Sequence, residues 1–246
     1  MPPVTPPNQS PLFATTRWSV VMVAREKEGA AASAALETLC AVYWYPLYAF
    51  VRRLGNGPHD AQDLTQEFFA RLLAKEWLGS VVRERGRFRT FLITALRRFL
   101  ANEWDRARAG KRGSGKIVLS LDADAAEARY RAEPSTAAPA DQIYERRWAL
   151  TLLDQTMSRL RAEYERNGQM EAFEQLKEYL TAERNAIPYD EVAGSLGTSE
   201  GAARVAVHRL RKRFREVFRE TIADTVAQPA EVDEEVRYIV SVLGGV

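Results

Sequence analysis

Apolar residues recur at intervals of three and four through most of this 246-residue chain, the spacing of one face of a helix. Trp18, Val21 and Met22 predict a first short helix. Ala35, Leu36, Leu39, Val42, Tyr43, Leu47, Phe50 and Val51 predict a longer one, interrupted or bent near Pro46. After a break at Gly55 to Pro58, Asp60 caps DAQDLTQEFFARLLAKEW, with Leu64, Phe68 and Leu72 in a core row. GRFRTFLITALRRFLANEWDRARAGKR follows, burying Phe88, Phe91, Leu92, Ala95, Leu96, Phe99 and Leu100. TLLDQTMSRLRAEY and MEAFEQLKEYL also read as helices. From Tyr189 to Arg219 two helices meet at a tight turn. Val192, Ala193 and Leu196 are buried on the first, Gly197 ends it, and Thr198 or Ser199 caps the second. Ala203, Val207, Leu210, Phe214 and Phe218 form the core stripe of that second helix. This is the outline of a helix-turn-helix. The tail adds one more helix, opened by Pro229 and striped with Val232, Val236, Ile239 and Leu243.

The expected fold is all-α, with two small helical domains on a flexible tether. Five prolines make residues 1–14 a disordered lead-in. Residues 15–112 form the first domain and 141–225 the second. Residues 113–140 are the linker, glycine-rich and then acidic and alanine-rich, with a short helix in DAAEARYR. Residues 226–246 are a C-terminal helical extension. Cys40 is the sole cysteine, which excludes an internal disulfide and suits a reducing cytoplasm. The chain has no apolar run long enough to insert in a membrane and no signal-peptide layout.

Charge changes the picture locally, since the net value is only +2. From Arg204 to Arg219 seven basic residues face one acid, Glu216. From Arg83 to Arg112 ten basic residues face three acids. Both stretches suit a polyanion. On the terminal helix Ser199, Glu200, Arg204, His208, Arg209, Arg211, Lys212, Arg213 and Arg215 are the candidate duplex contacts, early residues toward base edges and later ones toward phosphate. On the earlier helix Arg89, Arg97, Arg98, Asn102, Trp104, Arg106 and Arg108 are left to outer or boundary faces, where cations beside flat and amide groups suit single-stranded nucleic acid, with closure of the core as the equal alternative for Trp104. Tyr43, Trp44, Tyr45 and Tyr48 sit at helical spacing and are expected in the core. Asp60, Asp63, Gln66 and Glu67 give the intervening helix an acidic outer face. Asp63 and Glu67, one turn apart, invite a metal or acid–base reading. With two histidines and no phosphate-cradling loop or nucleophile elbow, no catalytic residue, metal site or cofactor is expected.

The order of DAQDLTQEFFARLL, FRTFLITALRRFLANEWDRAR, linker and terminal helix-turn-helix resembles the extracytoplasmic-function (ECF) group of bacterial RNA polymerase sigma factors, in particular its larger planctomycete-like members. The resemblance runs from about Trp18 to Thr225. It implies that Asp60, Asp63, Gln66 and Glu67 bind core RNA polymerase, that the basic-aromatic helix opens and holds the minus-ten promoter element, and that the terminal domain reads the minus-thirty-five element as duplex. An anti-sigma factor or other regulator is an implied partner. Arg98 and Asn102 depart from the Asn and Asp of many relatives, and Ala203-Arg204 from a commoner Val-Lys pair. A helix-turn-helix repressor or activator that acts without polymerase is the competing expectation. The tail, with Glu231, Asp233, Glu234 and Glu235 in its first turns, reads either as a packing helix on the terminal domain or as a shield or regulator dock.

Overall fold

The computed structural model describes residues 30–73, 87–108, 123–132, 138–183, 186–226 and 228–244. The proline-rich lead-in, the helix expected at Trp18 to Met22, the residues after Leu73 as far as Gly86, and the glycine-rich start of the linker lie outside them. The described residues are helical, with no strand among them. The helices are α1 (Ala30–Arg53), α2 (Pro58–Leu73), α3 (Phe88–Arg108), α4 (Ala123–Ala132), α5 (Ala140–Arg166), α6 (Met170–Leu176), α7 (Tyr189–Ser195), α8 (Glu200–Ala223) and α9 (Val232–Gly244). They fall into two compact units. One is built from the described residues up to Leu150 together with those from Ala223 onward; the other is Thr151–Ile222.

In the first unit α1 passes through Pro46 without interruption. Proline removes one backbone donor, but every residue from Val42 to Val51 is buried, and that packing outweighs the loss. The core gathers aromatic rings from three helices: Tyr43 meets Phe88 edge-on at 5.4 Å, Trp44 meets Phe69 at 5.8 Å, and Phe68 meets Phe99 at 5.9 Å. The expected aromatic stripe of α1 is therefore core. On α2 the buried row is wider than the pattern suggests. Ala61, Thr65, Phe68, Phe69 and Leu72 are buried while Leu64 is half-buried. Thr65 is tolerated there because its hydroxyl donates back to the Ala61 carbonyl at 2.7 Å.

Helix α4, inside the stretch read as linker, packs on α1. Arg129 lies over the Tyr45 ring at 4.2 Å, and Tyr130 meets Tyr48 edge-on at 6.5 Å. The Glu127 carboxylate accepts from Tyr48 Oη at 2.5 Å and from Arg52 at 3.0 and 3.1 Å. Burial alone would raise the Glu127 pKa, but hydrogen bonds from Arg52, Tyr48 and Arg131 hold its carboxyl down at about 2.

The second unit closes around Leu160, Phe173, Leu176, Ile187, Val192, Ala203, Val207, Leu210 and Val217. Between α7 and α8, Gly197 takes φ +61°, Thr198 N–H donates to Ala193 O at 2.9 Å, and Gly197 N–H donates to Gly194 O at 3.3 Å. This paired bonding ends α7 and needs a left-handed residue at its pivot. Ser199 then caps α8, its hydroxyl accepting from Ala202 N–H at 3.3 Å. The core stripe of α8 departs from expectation at its end: Val217 is fully buried, while Phe214 and Phe218 are half-buried and stacked on each other at 6.1 Å.

Candidate nucleic-acid interface

Helix α3 presents two different surfaces. Arg98, Asn102 and Trp104 are exposed, Trp104 at 43%, so the indole does not close the core. Arg97 is exposed and pairs with Asp141; Arg106 is exposed and pairs with Glu103 at 2.7 Å. These side chains share the outer half of a helix whose inner half is Phe88, Leu92, Leu96 and Phe99. The Arg108 side chain lies outside the described residues.

Arg89 departs from the expected outer or boundary placement, being only 3% exposed. Its guanidinium donates to Glu145 at 2.8 Å and to Glu235 at 2.5 Å, and lies over the rings of Trp148 at 4.7 Å and Tyr238 at 4.3 Å. A buried guanidinium requires such partners, because the uncompensated charge costs several kcal/mol, of order 3 to 5. Burial works against its charge, but the carboxylates of Glu145 and Glu235 outweigh that and raise its pKa. For Glu235 the balance runs the other way: burial pushes its carboxyl up, against the pull of Arg89 and Arg87. Arg87 donates to Glu234 at 2.7 Å and makes an ion-pair approach of 2.7 Å to the second oxygen of Glu235, which accepts no hydrogen bond among the described residues. Tyr144 donates to the Arg89 carbonyl at 3.0 Å. The tail helix α9 is thus seated on the start of α3.

On α2, Asp60 and Asp63 are exposed, and Gln66 and Glu67 are half-exposed beside them. The four share one side of the helix, but Glu67 is also engaged with Arg71 at 2.8 Å, and Arg71 reaches Glu103 of α3 at 2.9 Å. Asp60 and Asp63 are the outermost acids of this face. Among the described residues no three His, Cys, Asp or Glu side chains gather as a metal-ligand set, and no helix is long and apolar enough to cross a membrane.

On α8 the nine expected contacts separate. His208, Arg209, Lys212 and Arg215 are exposed. Arg204 is exposed, pairs with Glu200 at 2.6 Å and lies over the Tyr189 ring at 4.4 Å. Ser199 is the helix cap. Two arginines expected on the outer face turn inward instead. Arg211 donates to Tyr179 O at 2.8 and 2.6 Å and to Ala182 O, closing the carbonyl end of the turn Lys177–Leu180. Arg213 grips Glu163 of α5 with two bonds, 2.7 and 2.8 Å, and reaches Glu216 and Glu220 at 3.1 and 3.2 Å. Their pattern in the sequence is that of any basic residue on an amphipathic helix; only the acceptors brought opposite them distinguish the two.

Sequence reasoning missed Glu145 and Glu235 as partners of Arg89, Glu163 as the partner of Arg213, and Glu127 as the partner of Arg52 and Arg131. For Glu235 a signal existed, since it falls between Val232 and Ile239 on the apolar side of α9.

An all-helical unit with an acidic helix α2 beside a basic-aromatic helix α3 now has a family to compare with. Residues 45–110, from late α1 through α3, match the family model of sigma-70 region 2. The match supports a sigma-70 family factor, with a role in RNA polymerase binding and promoter melting. No curated protein and no solved structure matches the chain.

Proposed function

We propose that this protein is a sigma factor of the ECF group, resembling its larger planctomycete-like members, and that it acts in the cytoplasm. In this reading Asp60, Asp63, Gln66 and Glu67 dock on core polymerase, while Arg97, Arg98, Asn102, Trp104 and Arg106 hold the opened minus-ten strand. The second unit reads the minus-thirty-five duplex with Arg204, His208, Arg209, Lys212 and Arg215, and an anti-sigma factor or similar regulator restrains the whole. The observation that carries the reading is the region 2 match over residues 45–110, which spans both the exposed acids of α2 and the exposed Arg98, Asn102 and Trp104 of α3. The helix–glycine turn–helix of α7 and α8, with an exposed cationic side, supports the duplex-reading part.

Run-off transcription on genomic fragments, with core polymerase and with or without this protein, tests it. Specific transcripts should require the protein. Asp63→Lys should abolish both the transcripts and co-purification with core at nearly unchanged thermal stability, because Asp63 is exposed, lies beyond the first turn of α2 and has no hydrogen bond or ion pair among the described residues. Tight binding to duplex DNA by the protein alone, with no dependence on core, would instead make it a repressor or activator.

A further inference from the structure

The seat of α9 on α3 has the form of an occupied anion site. The Glu235 carboxylate lies between two guanidiniums, one oxygen hydrogen-bonded to Arg89 at 2.5 Å and the other in ion-pair contact with Arg87 at 2.7 Å, and Glu234 adds a second acid to Arg87 at 2.7 Å. Two converging guanidiniums bind the paired oxygens of a phosphate as readily as those of a carboxylate. With the tail in place the seat holds two cations, Arg87 and Arg89, against three acids, Glu145, Glu234 and Glu235, so its charge is 2 − 3 = −1. With the tail away only Glu145 remains, and the charge becomes 2 − 1 = +1. Arg87 precedes Arg98 by eleven residues, which is three turns and about 16 Å along one face. The exposed cations of α3 would then extend to its start.

We propose that Arg87 and Arg89 form a phosphate-binding end of the α3 nucleic-acid surface, which α9 masks by seating Glu234 and Glu235 on it. The tail is suited to leaving. It is a single helix of 13 residues, a length at which an isolated helix is marginal in water. It also carries a buried ion pair, which stabilises less than apolar packing of the same volume. This inference rests on the reading of α3 as the strand-holding helix, and its test separates the two.

Linkage makes the competition reciprocal: whatever the tail costs nucleic-acid binding, nucleic acid must cost tail docking. Hydrogen exchange across residues 232–244 of the full chain is measured with and without a saturating labelled single-stranded oligonucleotide, and affinity is followed by anisotropy. Exchange in α9 should accelerate when the oligonucleotide binds. Glu235→Gln should bind it several-fold more tightly, because less tail docking has to be displaced. Unchanged α9 exchange at saturation overturns the proposal, as does unchanged affinity in a Glu235→Gln protein that still melts cooperatively. If that variant fails to fold, the wild-type exchange decides alone. Loss of binding in Arg98→Ala with Trp104→Ala reports separately on the α3 reading; if those variants bind normally, that reading fails whatever the tail does.

Discussion

Glu127 carries four statements at once: a carboxylate on a helix from the expected linker, two guanidiniums, a tyrosine hydroxyl, and a pKa near 2. Its folded pKa lies below the ordinary 4.5, so its stabilisation is complete above about pH 4.5 and is lost as pH falls toward 2. Between about pH 5 and about pH 3 the wild type should lose roughly 1 to 2 kcal/mol more than Glu127→Gln, the scale of hydrogen bonds to a charged group. Denaturant titrations at both pH values measure it, and parallel losses would show the carboxylate is not ionised by its neighbours. Arg211 offers a second residue-scale contrast. It satisfies the carbonyls of Tyr179 and Ala182, so Arg211→Ala should destabilise the protein by about 1 to 3 kcal/mol. Lys212, exposed on the same helix with only a 3.9 Å approach to Glu216, should cost little on truncation and instead lower the salt dependence of duplex binding. Denaturation of the two variants side by side separates the roles.

At the scale of elements the turn between α7 and α8 is decided by backbone conformation. Gly197 sits at φ +61°, and a methyl group added there would meet no heavy atom within 4 Å. Gly197→Ala therefore tests conformational strain without a clash, and it should cost about 1 to 2 kcal/mol in a thermal or chemical melt. A neutral or stabilising outcome would mean the turn relaxes out of the left-handed region. Helix α3 shows the opposite dependence. Its inner face is set by apolar spacing, but its start is set by what lands on it, since Arg89 is buried only because Glu145, Trp148, Glu235 and Tyr238 surround it.

At the scale of the whole molecule that same cluster joins three stretches far apart in sequence, around residues 89, 145 and 235. Arg89→Ala would leave two carboxylates together in a buried site, and a loss of about 3 to 5 kcal/mol is expected. Calorimetry should show it, and partial rescue by adding Glu235→Gln would identify the stranded charge as the cause. The sequence by itself determined the all-helical class, the α1 aromatics as core, the acidic side of α2, and the glycine turn with a cap at Thr198 or Ser199. These are local properties: apolar period, turn chemistry and capping act within a few residues and are written in order along the chain. Only the tertiary structure decided that Trp104 stays outside while Arg89 goes in, that Arg211 and Arg213 turn from solvent to carbonyls and carboxylates, and that the tail seats on α3. Whether a long cationic side chain faces water or a buried acid depends on the acceptor that another segment brings opposite it. That acceptor is many residues away, and no periodicity along one helix records it.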